Sequence, residues 1–117
     1  MPKMVWNDGE LTTLEEARIS VMDHAHLYGD GLFEGIRMYG GKVFKLRPHL
    51  DRLYHGIAYL GYEMPYAKDE LEAIVLDVAA RAEITDGDVR LNVTRGTGLG
   101  LDPKNIDRRA KTVIAIS

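Results

Sequence analysis

Leu32-Phe33-Glu34-Gly35-Ile36-Arg37-Met38-Tyr39-Gly40-Gly41-Lys42-Val43-Phe44-Lys45-Leu46 is the stretch on which the fold of this chain turns. It contains no proline, and Gly40-Gly41 offers two positions that accept positive φ, as a two-residue hairpin turn requires. A strand over 32–39 is therefore expected to return over 42–46. Side chains alternate across a strand, so Phe33, Gly35, Arg37 and Tyr39 should share one face and Leu32, Glu34, Ile36 and Met38 the other. A hairpin with one apolar face needs other elements to cover it.

Those elements follow on the C-terminal side. Pro48 suits the first turn of a helix, and Leu50, Leu53, Ile57 and Leu60 recur at helical spacing until Gly61. A second helix is expected after Pro65, with Leu71, Ile74, Val75, Val78, Ala79 and Ala82 on one stripe and Asp69 and Glu70 near its positive N-terminal end. Asp86-Gly87 then turns the chain into a strand in which Val89, Leu91 and Val93 alternate with Asp88, Arg90, Asn92 and Thr94, which points Arg90 away from the core. Residues 96–103 read as a glycine-rich loop, and Thr112-Val113-Ile114-Ala115-Ile116 as a continuous apolar strand. A buried strand of that kind, left alone, is expected to expose apolar side chains and an open edge through which copies of the chain associate.

Toward the N-terminus, Met4-Val5-Trp6 and Glu10-Leu11-Thr12-Thr13 flank Asn7-Asp8-Gly9 as a small hairpin. Arg18 to Met22 is expected to add a short strand, and Asp23 to Gly31 a turn or brief helix. Strands, two helices, then strands imply one α+β domain over residues 1–117, with helices against one face of an antiparallel-rich sheet.

Composition narrows the function classes. In 117 residues there are 28% charged and 45% hydrophobic side chains, a net charge of −3 and no cysteine. That profile belongs to a globular protein and not to a basic nucleic-acid binder, and it supplies no disulfide framework or zinc-thiolate site. The N-terminus lacks the apolar run of a signal peptide and no stretch reaches the ~20 apolar residues of a membrane span, so the expected compartment is the cytoplasm. His24, His26, His49 and His55 invite a metal reading, but His24 and His26 lie in a loop with no placed carboxylate or cysteine partners, so no metal site is expected. Gly96 to Gly100 lacks the Lys-Ser/Thr and helix start of a triphosphate loop. Arg37 and Arg90, on the outer face of two strands, and Arg52, on the first helix, suit either solvated surface positions or paired hydrogen bonds to a carboxylate. Spacing alone leaves both readings open.

The run Asp23-His24-Ala25-His26-Leu27-Tyr28-Gly29-Asp30-Gly31-Leu32-Phe33-Glu34-Gly35-Ile36-Arg37 closely resembles the class IV, or fold type IV, aminotransferases. The resemblance continues through Tyr39, Gly41 and Phe44, His49-Leu50-Asp51-Arg52-Leu53, Val89-Arg90 and Gly98-Leu99-Gly100-Leu101-Asp102-Pro103, and so covers roughly residues 5 to 116. It is nearest the branched-chain group; D-amino acid aminotransferases and aminodeoxychorismate lyases are the alternatives within the family. What the resemblance implies is the small N-terminal domain of an enzyme that moves an amino group between leucine, isoleucine or valine and 2-oxoglutarate with pyridoxal 5'-phosphate. Arg52 stands at the cofactor-phosphate position. Tyr28, Phe33, Gly35, Arg37 and Arg90 match positions lining the substrate pocket, and Leu99 and Leu101 match a loop that reaches the partner subunit's pocket, which implies a homodimer or larger.

Two positions depart from the pattern. Asp88 stands where branched-chain members carry a tyrosine that helps bind the α-carboxylate, a place where a carboxylate repels that group unless Arg90 neutralises it. The Gly96 to Gly100 loop is a residue short. The family also implies a Schiff-base lysine and a glutamate for the pyridine nitrogen in a larger domain, and Lys3, Lys42, Lys45, Lys68, Lys104 and Lys111 do not match that lysine. The expectation is that this chain ends before the catalytic lysine, binds small amino and 2-oxo acids only as part of a whole, and is inactive alone. The competing reading is a non-catalytic module that binds a carboxylate or a partner chain.

Overall fold

A computed structural model describes residues 4–100, 106, 107 and 109–117. The chain runs β1 (Met4–Asn7), β2 (Glu10–Thr12), α1 (His24–Tyr28), β3 (Gly31–Tyr39), β4 (Lys42–Val43), α2 (Leu46–Leu60), α3 (Lys68–Ala82), β5 (Gly87–Thr94), β6 (Thr97–Gly98), β7 (Ile106–Asp107) and β8 (Lys111–Ile116). One six-stranded antiparallel sheet has the order β2-β1-β8-β5-β3-β4, and β6 and β7 form a separate two-stranded piece. The α+β arrangement expected from the sequence is the one formed.

Period-two patterning on β3, β5 and β8 decides which face is covered. Ile36, Met38, Val89, Leu91, Ile114 and Ile116 are buried beneath Leu50, Leu53 and Ile57 of α2 and Leu71, Val75 and Val78 of α3. Each such side chain contributes about 1.5–3 kcal/mol by leaving water, so this single interface dominates stability. Phe33, Gly35, Arg37 and Tyr39 remain on the opposite, open face of β3.

Several expectations are corrected. The returning strand is only Lys42–Val43, because Lys45 takes a left-handed conformation (φ 51°) and swings the chain directly into α2. The helix therefore begins at Leu46, and Pro48 lies in its first turn, where an N–H would have no helical partner anyway. Leu60 is 36% exposed rather than core; it lies within about 20° of the buried Leu53 around the helix axis, so its exposure follows from its place as the last residue of α2 and not from the stripe. Arg18 to Met22 forms no strand: it crosses the end of the first hairpin, tied by the Asn7 side chain donating to the Arg18 carbonyl at 2.8 Å.

The expectation for the last strand is also overturned in part. β8 lies between β1 and β5, so both of its edges are hydrogen-bonded. Thr112, Ile114 and Ile116 are buried while Lys111, Val113 and Ala115 are half-buried on the open face. Within the chain the core of this strand is already covered, and no open edge arises there. Among the described residues no helix is long and apolar enough to cross a membrane.

Candidate functional site

The open face of β3 and β5 gathers four of the singled-out residues. Antiparallel register sets Gly35 opposite Arg90, Phe33 opposite Asn92 and Arg37 opposite Asp88. The Arg90 guanidinium lies 3.8 Å from the centroid of the Phe33 ring and its Nε donates to Asn92 Oδ1 at 3.2 Å. Stacking of this kind holds a planar cation over an aromatic face while leaving its edges available. Gly35 leaves open floor: a Cβ there would meet nothing within 4 Å. A cleft of about 210 Å³ lies beside Phe33, bounded by Arg90, Asn92, Thr94, Ala25 of α1 and its C-cap Gly29.

Asp88 is neutralised by Arg37 and not, as the sequence suggested, by Arg90. Arg37 Nη1 donates to Asp88 Oδ1 at 3.0 Å, and the guanidinium lies 5.3 Å from the Tyr39 ring. Tyr39 first and then Asp88 raise Arg37 further above its ordinary range, so it stays a cation. The cause is register: residues directly opposite across an antiparallel pair are closest.

Tyr28 belongs to a different neighbourhood. α1 starts with Asp23 accepting the Ala25 N–H at 2.8 Å and ends at Gly29 in the left-handed region (φ 68°), and these caps aim Tyr28 at the glycine-rich loop. Its hydroxyl accepts the Gly100 N–H at 2.7 Å, next to the exposed Leu99. Leu101 lies outside the described residues.

Arg52 is on the helix-covered side of β3, the side opposite to Phe33, Gly35 and Arg37. Its Nε donates to Glu34 Oε2 at 2.9 Å and its Nη2 to Glu34 Oε1 at 2.7 Å, while His49 Nδ1 lies 2.7 Å from Oε1. Burial by itself would raise the Glu34 carboxyl; hydrogen bonds and charge from Arg52 and His49 outweigh it and hold the group below the usual range. Glu34 and His49 were not singled out from the sequence. The signal was present, since strand parity puts a carboxylate on the core face and such a group needs a cation.

A second carboxylate fixes the junction of α1, β3 and β5. Asp30 accepts from the Tyr62 hydroxyl at 2.7 Å and from Arg95 Nε at 2.5 Å, and His24 Nδ1 lies 3.4 Å away. Burial would raise its pKa, but Tyr62, Arg95 and His24 together lower it. Both Asp30 and Glu34 thus have folded pKa values below their unfolded ones, so their stabilisation is complete above the unfolded values and is lost as pH falls through the folded ones. Unfolding midpoints in urea are expected to be flat from pH 7 to 5 and to fall below about pH 4. Asp30→Asn should lower stability at pH 7 by about 1.5–3 kcal/mol and flatten that acid slope; an unchanged slope would contradict the assignment.

Among the described residues no three His, Asp or Glu side chains converge as a metal site would require. The family model for class IV amino-transferases matches residues 31–116. A putative branched-chain-amino-acid aminotransferase of Methanocaldococcus jannaschii is 42% identical over 113 residues, 96% of this chain and 39% of that protein. The Escherichia coli branched-chain amino acid aminotransferase structure superposes with a TM-score of 0.90 at 30% identity, covering 100% of this chain and 40% of that one. The branched-chain amino acid aminotransferase of T.th., complexed with N-(5'-phosphopyridoxyl)-L-glutamate, gives 0.88 at 32% identity, covering 99% and 40%. The chain therefore spans about two fifths of the length of the relatives it matches.

Proposed function

The chain belongs to the amino-transferase class IV family, and from that premise we propose that it is the small domain of a pyridoxal-phosphate-dependent branched-chain aminotransferase. The proposed reaction of the whole enzyme transfers the amino group of leucine, isoleucine or valine to 2-oxoglutarate. The observation that carries the reading is the open β3–β5 face, where an aromatic wall and open glycine floor adjoin a stacked cation. Phe33 and Gly35 suit a branched aliphatic side chain, and Arg90 suits the side-chain carboxylate of glutamate. Arg37, neutralised by Asp88, sets the charge balance at the rim of that face.

Of the cofactor, the phosphate end fits residues of this chain. Arg52 presents a guanidinium whose inner edge is fixed and whose outer edge is exposed, which suits a dianion. When bound, pyridoxal phosphate supplies the electron sink that makes the α-proton of an amino acid labile. The lysine that would move that proton is assigned to the portion of the relatives that this chain does not span. Tyr28 and the loop carrying Leu99 and Leu101 are proposed to line a pocket across a homodimer interface, with the assembly in the cytoplasm.

Arg90→Leu provides the test, in a chimaera that joins this chain to the part of the M. jannaschii relative beyond the matched region. The KM for glutamate is expected to rise tenfold or more, on the order of 1.5–3 kcal/mol of lost charge-assisted binding, with little change for leucine. Equal losses for both substrates would remove Arg90 from substrate recognition. A chimaera that folds, holds pyridoxal phosphate and prefers D-alanine would replace the branched-chain reading with the D-amino acid one.

A further inference from the structure

We infer that Glu34 is a positioning residue, a buried carboxylate that orients Arg52 so that the outer edge of its guanidinium is set in advance for a phosphate group. The inference rests on the reading of Arg52 as the phosphate-binding residue. The pair is markedly asymmetric: the Glu34 side chain is 5% exposed and that of Arg52 73% exposed. Two hydrogen bonds, from Nε to Oε2 and from Nη2 to Oε1, occupy one edge of the guanidinium. Nη1 and the second proton of Nη2 have no hydrogen-bond partner among the described residues and lie on the edge away from Glu34.

Two features make Glu34 a firm mount. Its carboxylate is on the core face of the central part of β3, between Leu32 and Ile36, where backbone pairing to β5 fixes its origin. His49, one helical turn before Arg52 on α2, lies 2.7 Å from the same Oε1 that accepts from Arg52 Nη2. A freely rotating arginine loses side-chain entropy when it captures an anion, and a fork already held on one edge loses less. Against this, the negative charge of Glu34 opposes binding of any anion nearby. Orientation and neutralisation therefore predict opposite signs for loss of the Glu34 charge, which makes the role measurable.

The test uses the 117-residue chain with labelled arginine and inorganic phosphate as the probe, at matched ionic strength, following the Arg52 Nε–Hε NMR signal. Wild type is expected to show a saturable shift. In Glu34→Gln one oxygen of the fork is replaced by an N–H donor facing another donor, and phosphate affinity is expected to fall at least fivefold while methyl signals of the core stay in place. Glu34→Asp keeps the charge on a shorter arm, and a loss of affinity is expected there too; it serves as the deciding variant should Glu34→Gln fail to fold. Equal or tighter phosphate binding in the folded variant would overturn the inference and leave Glu34 a neutralising ion-pair partner only. Arg52→Lys, followed like the wild type through the backbone amide at position 52 because lysine has no Nε–Hε, separates the two levels. If it abolishes the phosphate response while the Glu34 variants retain it, only the positioning role falls; if wild type shows no response at Arg52, the phosphate reading falls and the positioning role with it.

Discussion

Supplied with leucine, 2-oxoglutarate and pyridoxal phosphate, the 117-residue chain alone is expected to produce no glutamate above background, whereas the chimaera with the remainder of the M. jannaschii relative should turn over. Transamination needs an amine that both holds the cofactor aldehyde and moves a proton between two carbons, with its acid-base environment arranged around it. None of the six lysines of the chain has that setting by resemblance. Among those described, Lys68 is paired with Asp51 at 2.9 Å and Lys45 lies 5.5 Å from the Phe44 ring. Solvated ammonium groups stay protonated near neutral pH, so any adduct should be slow, scattered and sub-stoichiometric. Borohydride reduction followed by peptide mapping reads this directly. Stoichiometric labelling of one lysine together with conversion of leucine to its keto acid would show that this chain carries the chemistry itself. The same preparation tests association through the open face of the sheet, since the edges of the last strand are already paired. Phe33, Val113 and Ala115 leave apolar surface there, and sizing at rising concentration should show self-association that Phe33→Ser weakens.

Arg52→Ala is expected to have two large consequences, against which Arg18→Ala is the control. In the chimaera, cofactor retained after dialysis should fall by about 10- to 100-fold in affinity, the equivalent of about 1.5–3 kcal/mol for a charge-assisted contact. Arg18 donates from Nη1 to the carbonyls of Glu15 and Ala17 at 2.6 and 2.8 Å, so its removal should leave cofactor occupancy unchanged. In the isolated chain, Arg52→Ala leaves the buried Glu34 with His49 alone as a partner, and stability at neutral pH is expected to fall. The sign of the pH dependence identifies the cause. Pairing holds the folded Glu34 pKa down, so the wild-type advantage is complete above the unfolded value and disappears as pH falls through the folded one. Stability curves of wild type and variant should therefore converge below about pH 4. Parallel curves would place the loss in packing and not in charge, and equal cofactor retention in both arginine variants would remove Arg52 from the phosphate site.

Local pattern in the sequence was enough for much of the fold. Alternation over 32–39 and 88–94, helical spacing over 50–57 and 71–82, and the turn residues Gly40-Gly41, Gly61 and Asp86-Gly87 act within a few residues, and each formed the element it implied. Parity likewise separated Phe33, Gly35 and Arg37 from Glu34 before any neighbour was known. The ordered motifs from Asp23 to Asp102 were sufficient to identify the family, since many matches in fixed order constrain far more than one short motif does.

What the sequence left open were the partnerships across long separations. Arg37 meets Asp88, Arg52 meets Glu34 and Tyr28 meets Gly100 through contacts 51, 18 and 72 residues apart. Each depends on which residues stand directly opposite across β3 and β5, how far α2 has rotated above β3, and where the left-handed Lys45 and Gly29 redirect the chain. The placement of β8 between β1 and β5 is of the same kind: apolar character told that the strand is buried on a face, but not that both its edges are already paired. Amino-acid pattern alone determined which side chains face a core, because that follows from the period of the backbone. Only the tertiary structure decided which charges neutralise one another and which remain presented to a ligand, because that depends on register and packing between segments far apart in the chain.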